Sequence, residues 1–210
     1  MSRPLLAVLL ASCLAACGED IHAEPGPEPA PEEQAPAKIR HTVQADGSVI
    51  TVVDATDALV WVGLDLDTRE RVDPALASAW DLSFQRFHVR SRGGVNGTGG
   101  VQVAVLPDAF DAVSTAPSSG YREDAPDGED TNTESDTAFE AEGGWYSYDV
   151  SSHTLTPRAR TYVVRSDAGQ FFKLQILGYY DSAGTPAMLS FRWKQVAAPL
   201  NPLIPDGVNP

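Results

Sequence analysis

Apolar and polar residues alternate in steps of two through most of the chain, and this pattern narrows the possible folds more than any other feature. Leu189, Phe191 and Trp193 alternate with Ser190, Arg192 and Lys194. Val101, Val103 and Val105 alternate with Gln102 and Ala104. A period of two places one set of side chains on a buried sheet face and the other on an exposed face. Asp46-Gly47 lies between Thr42-Val43-Gln44 and Val49–Val53 and reads as a two-residue hairpin turn, because type I′ turns need positive φ. Asp167-Ala168-Gly169 lies between Tyr162–Arg165 and Phe171–Tyr180 and signals a second hairpin. Leu59–Leu66 and Trp80–Arg90 read as further strands. Counting by two from Trp80 puts His88 on a face with Leu82, Phe84 and Arg86. No long window has a period near 3.6, and only residues 73–79 suggest a short helical turn. The expected fold is an all-β, antiparallel, multi-sheet domain over residues 40–196.

That domain has to be held by its core. Both cysteines, Cys13 and Cys17, lie near the start of the chain, so no disulfide, thiolate metal site or thiol nucleophile is available to it. Trp61, Trp80, Trp145 and Trp193 are its large apolar anchors. A formal charge of −14 argues against electrostatic binding to nucleic acid or to an anionic bilayer.

Arg3 and the apolar run Leu5–Ala16 read as a secretory signal, too short for the roughly 20 apolar residues of a spanning helix. Leu14-Ala15-Ala16-Cys17 resembles a bacterial lipobox. The resemblance implies removal of residues 1–16 and acylation (palmitate-type chains) of Cys17. At about 0.8 kcal/mol per buried CH₂, several chains on one cysteine anchor a domain durably. Gly18 in place of aspartate resembles the outer-membrane sorting signal of Gram-negative envelope lipoproteins. Residues 17–39 are rich in Pro, Glu and Ala and read as a disordered tether; residues 197–210 read as a Pro-rich tail.

Two loops invite functional readings. Gly93–Gly100 is glycine-rich but matches neither the P-loop nor the dinucleotide fingerprint, so it reads as a β connection. Glu123–Glu142 carries nine acidic residues without EF-hand spacing, so it reads as a solvated loop rather than a calcium site. Asp65 and Asp67 share a side of a strand and read as a solvent face. There is no Gly-x-Ser-x-Gly elbow and no His-Glu-x-x-His helix, so the chain reads as a non-enzyme.

Four segments in order resemble the HmuY family of haem-binding surface lipoproteins. They are Trp80–Phe87 running to Gly100, Gly143-Gly144-Trp145-Tyr146, Tyr162–Ser166 with Phe172–Leu174 and Tyr179-Tyr180-Asp181, and Leu189–Trp193. The resemblance spans roughly residues 50–196. It implies an all-β fold with a haem cleft at one end of the sheets, and a role in haem uptake and iron acquisition with an outer-membrane haem receptor as partner. It also implies two axial histidines, one before Gly143-Gly144-Trp145 and one a few residues after. Here Glu123–Glu142 holds neither His nor Met. His153 is the histidine in the second segment, shifted by a few residues, and is the expected ligand. Tyr146 and Tyr148 would line the slot. The second iron position would be open, or filled by water, Met188 or His88. His22 and His41 read as solvated. The alternative reading is a lipoprotein of the same fold that has lost haem ligation and binds a protein or glycan.

Overall fold

The computed structural model describes residues 37–128 and 136–200. The lipobox with Cys17, most of the Pro/Glu tether, residues 129–135 of the acidic loop and most of the C-terminal tail lie outside the described residues.

The described chain is almost wholly strand. β1 (Ile39–Val43) and β2 (Val49–Asp54) form a hairpin, and β3 (Val62–Leu64), β4 (Arg71–Val72), β5 (Leu82–Gln85) and β6 (His88–Ser91) follow. Next come β7 (Gln102–Leu106), β8 (Tyr121–Arg122), β9 (Tyr146–Asp149) and β10 (Thr154–Pro157). β11 (Thr161–Arg165), β12 (Phe171–Tyr180) and β13 (Pro186–Gln195) complete the fold. They make a seven-stranded sheet in the order β1-β2-β13-β12-β11-β7-β8, a four-stranded sheet β4-β3-β5-β6, and the separate hairpin β9-β10. Every strand pairing is antiparallel.

The alternating residues do what their period requires. Leu189 and Phe191 are 0% exposed and face the four-stranded sheet, from which Val62, Leu64, Leu82 and Phe84 project into the same core. Phe84 stacks on Phe191 at 5.4 Å between ring centroids and joins the two layers. Trp80, Trp145 and Trp193 are buried. Trp61 is only half-buried, with the Arg90 guanidinium 3.8 Å over its ring.

Both predicted hairpins form, but their loops have three residues. The Gln44 amide donates to the Ser48 carbonyl, and the Ser166 amide to the Gln170 carbonyl. Only the third loop residue, Gly47 or Gly169, takes positive φ, so the first turn is not the two-residue type I′ turn expected. Ser182-Ala183-Gly184 repeats this geometry between β12 and β13.

Three other expectations are corrected. Leu59–Leu66 is not one strand, since β3 spans Val62–Leu64 and Leu59 is 91% exposed. Trp80–Arg90 is not one strand either, because the chain reverses between Gln85 and His88 with Arg86 at φ +54°. That reversal pairs Val89 with Phe84, so His88 lies on the opposite face from Phe84. The acidic loop is not solvated throughout. Asp124 is buried and accepts the amides of Ser91 (2.8 Å) and Ala138 (2.9 Å) and the Asn96 side chain (2.9 Å). Gly94 closes over it at φ +59°, where a Cβ would stand 1.9 Å from the Asp124 carbonyl oxygen.

Candidate functional site

One end of the two sheets gathers the aromatic residues singled out in the sequence. β2 ends and β13 begins there, with Asp54 opposite Met188 and Tyr180 opposite Pro186. The Ala55 amide donates to the Ala187 carbonyl, and the Arg86 amide donates to the Ala55 carbonyl. These bonds bring the β5-β6 turn against the rim of the larger sheet. The β9-β10 hairpin docks on that turn. The Trp145 indole Nε1 donates to the Phe87 carbonyl at 2.9 Å, and Tyr146 meets Phe87 edge-on at 5.9 Å. On its other strand the Leu155 amide donates to the Tyr180 hydroxyl oxygen at 3.0 Å. Burial pushes the Tyr179 phenol up, against a small opposing effect of Arg86.

The hairpin presents two of the predicted residues together. Tyr148 is 50% exposed, and its hydroxyl lies 2.6 Å from His153 Nδ1. His153 closes the turn in the left-handed region at φ +54°, a conformation in which His is enriched among non-glycine residues. The Asp149 carboxylate fixes the turn by accepting the Ser151 amide (2.8 Å), the Ser151 hydroxyl (2.6 Å) and the Ser152 amide (3.1 Å). These bonds hold the Asp149 carboxyl below the usual carboxylate range. Tyr146, half-buried, and exposed Val150 flank the pair.

The other predicted residues lie elsewhere or turn away. Met188 sits between Leu189 and Ala187, both buried in the core, and therefore faces the outer side of the larger sheet with Asp54. His88 stacks on Phe87 at 4.0 Å, at the same end of the molecule. His41 is not simply solvated: its Nδ1 lies 2.8 Å from the Thr51 hydroxyl and its ring meets Trp193 at 6.5 Å. Burial lowers its pKa. A cavity of about 560 Å³ adjoins the segment just before Gly143, but its lining, including Tyr121, Arg122, Glu123 and Glu140, offers neither His nor Met. Asp65, half-buried, and Asp67, exposed, bring carboxylate oxygens within 4.8 Å of each other and of buried Asp81.

Residues 57–193 match the family model described as HmuY protein, which is more than half of the chain. The chain belongs to the HmuY family. An apo HmuY analog from Tannerella forsythia superposes with a TM-score of 0.56 at 11% identity, covering 76% of this chain and 97% of that one. A candidate HmuY-like haem-binding protein from Bacteroides vulgatus gives 0.50 at 19% identity, covering 70% and 90%. A candidate lipoprotein from Bacteroides fragilis gives 0.53 at 18%, covering 73% and 91%. No curated protein matches the sequence. At these identities the structural likeness establishes the HmuY fold.

The Bacteroides vulgatus neighbour is described as haem-binding, and the hairpin carries donors of the types that haem iron accepts. A phenol and an imidazole are both known axial donors to haem iron, and both are exposed here. The pair is one-sided, since the described HmuY domain has two other histidines, His41 and His88, neither on this hairpin. The sequence had marked His153 and Tyr148 singly. Their pairing follows from the β9-β10 register, in which Tyr148 faces Leu155 across the hairpin.

Proposed function

We propose that the chain is a non-enzymatic envelope lipoprotein, anchored through Cys17, that binds haem or a related flat apolar ligand at the β9-β10 hairpin. The observation that carries this reading is the Tyr148–His153 pair, 2.6 Å apart on an exposed turn, in a chain of the HmuY family. Tyr146 and Leu155 supply apolar area to a flat ring, and the pair supplies the polar contact that orients it. Net charge of −14 keeps nucleic acid from competing for the surface.

The test is titration of the full-length chain, carrying Cys17→Ser to keep it unlipidated, with ferric and ferrous haem. A saturable Soret shift is expected. Removing the pair with Tyr148→Phe and His153→Ala together should abolish it, whereas His41→Ala should leave it unchanged. No spectral change in either redox state would overturn the reading and favour a protein or glycan partner. The anchor is tested separately. Cys17→Ser should move the protein out of the membrane fraction or block processing, and unchanged detergent-extractable membrane attachment would refute it.

A further inference from the structure

We infer that a cavity at the opposite end of the sheets from the β9-β10 hairpin binds a free α-amino acid with a large apolar side chain. This second site is independent of the haem reading. The cavity holds about 450 Å³, within the range of small-molecule sites. It lies beside the β3-β4 turn, where β2 and β12 begin and β13 ends. Its floor is apolar and consists of Val49, Leu66, Phe172 and Trp193, all buried. The Trp193 indole Nε1 already donates to the Thr51 hydroxyl at 2.7 Å, and Phe172 meets Trp193 edge-on at 5.6 Å. The floor is therefore preset and brings no unpaired polar group to a ligand.

The rim carries two opposite charges that do not pair with each other. Asp67 and Arg69 are both exposed on the β3-β4 turn and both line the cavity. Among the described residues neither side chain is in an ion pair. The turn fixes them in place. The Asp65 carboxylate accepts the Asp67 amide (2.8 Å) and the Thr68 amide (3.1 Å), the Arg69 amide donates to the Asp65 carbonyl (2.9 Å), and Arg69 is held at φ +67°. On the same rim the Gln195 amide donates to the Gln170 side-chain oxygen at 2.9 Å, a pair that still has N–H and carbonyl groups to offer. An α-amino acid matches this arrangement. Its ammonium meets the Asp67 carboxylate, its carboxylate meets the Arg69 guanidinium, and its side chain covers the floor. The Asp65 carboxylate, within 4.8 Å of that of Asp67, strengthens the pull on the ammonium. A ligand with a single charge leaves the other rim charge unmatched. A sugar fits less well, because the Arg69 guanidinium stands 5.8 Å over the Trp193 ring, where the sugar would stack.

The experiment titrates the full-length Cys17→Ser chain with L-phenylalanine and L-leucine and follows the NMR shifts of the Trp193 indole and of the Gln170 and Gln195 side-chain amides. Both amino acids should bind saturably, with Kd at or below about 1 mM. Phenethylamine and 3-phenylpropionate each lack one of the two charges of phenylalanine and should bind at least about tenfold more weakly. Asp67→Asn and Arg69→Gln should each weaken phenylalanine binding at least about tenfold, with circular dichroism melts confirming that the variants fold. The double variant Tyr148→Phe and His153→Ala, at the far end of the sheets, should bind phenylalanine as wild type does. No saturable shift with either amino acid would overturn the inference and leave the haem reading standing. So would equal binding of either single-charge analogue, unchanged binding in either rim variant, or saturable binding of maltose in place of the amino acids.

Discussion

Trp145→Ala is expected to destabilise the domain by about 3–5 kcal/mol, the usual range for emptying a large aromatic site. Trp145 is 1% exposed, with Tyr146 at 4.8 Å and Tyr179 at 6.1 Å between ring centroids. The loss has two parts. The indole leaves a cavity, and the Phe87 carbonyl loses the donor that now sits 2.9 Å away. Gly143 and Gly144 precede Trp145 at φ +85° and +77°, a path that other residues rarely take and that swings the indole under the β5-β6 turn. Among the described residues the β9-β10 hairpin pairs with no other strand, and an isolated two-stranded hairpin is marginal in water. It depends on Trp145 and on the Tyr180 hydroxyl bond for its place. Trp145→Ala should therefore also speed amide exchange across residues 146–157 more than across β12. Trp145→Phe, which keeps most of the apolar contact, should cost clearly less. Denaturant melts that place Trp145→Ala within about 1 kcal/mol of wild type would show that the hairpin does not depend on this anchor.

The period-two segments were legible because their partners follow from burial alone. β13 shows this, with every second residue from Ala187 to Trp193 buried in the core. The β5-β6 turn was not legible. Gln85-Arg86-Phe87-His88 contains no Gly, Pro, Asn or Asp, and Arg86 adopts φ +54° because distant groups hold it there. Its amide donates to the Ala55 carbonyl, and its guanidinium to the Thr56 carbonyl at 2.9 Å. A tertiary contact replaces the local signal, so the faces assigned beyond it, including that of His88, were reversed. The glycine-rich loop likewise read as a plain connector because its reason is the close approach of Gly94 to Asp124. At the candidate site, the sequence marked the segment that follows Gly143-Gly144-Trp145. It did not reveal the Tyr148–His153 bond, which needs the four-residue turn between Asp149 and Thr154. Alternation with buried Leu189 puts Met188 on the outer face, a placement that the sequence did contain.

Stability should fall as pH rises from 5 to 8, with Asp81 contributing about 2–3 kcal/mol of that fall. Asp81 is 0% exposed and ties two distant turns together. One of its carboxylate oxygens accepts the Leu66 amide at 2.8 Å and the other the Asp167 amide at 2.9 Å. Burial pushes its pKa up to about 7, and the charges of Asp167 and Asp67 add to the rise, while the two amide bonds oppose it. An unfolded aspartate titrates near 3.9, so between about 4 and 7 the folded chain holds a proton that the unfolded chain has lost. Folding is therefore favoured by this group at the low end of that window, and the contribution is gone once the pH passes the folded value. Burial raises Asp124 and Asp67 as well, a shift of the same sign. His41 acts oppositely, since a histidine with a lowered pKa favours the fold as pH rises through its range. Asp46, Asp149 and Asp181 are lowered and act only below this window. Asp81→Asn isolates the one group. Its amide cannot titrate, and its NH₂ faces one of the two backbone N–H donors, so the variant loses one of the two bonds. The gap between wild type and variant in urea melts should be widest near pH 5 and shrink by about 2–3 kcal/mol by pH 8. Parallel curves for the two proteins would show that the Asp81 carboxyl does not carry this proton.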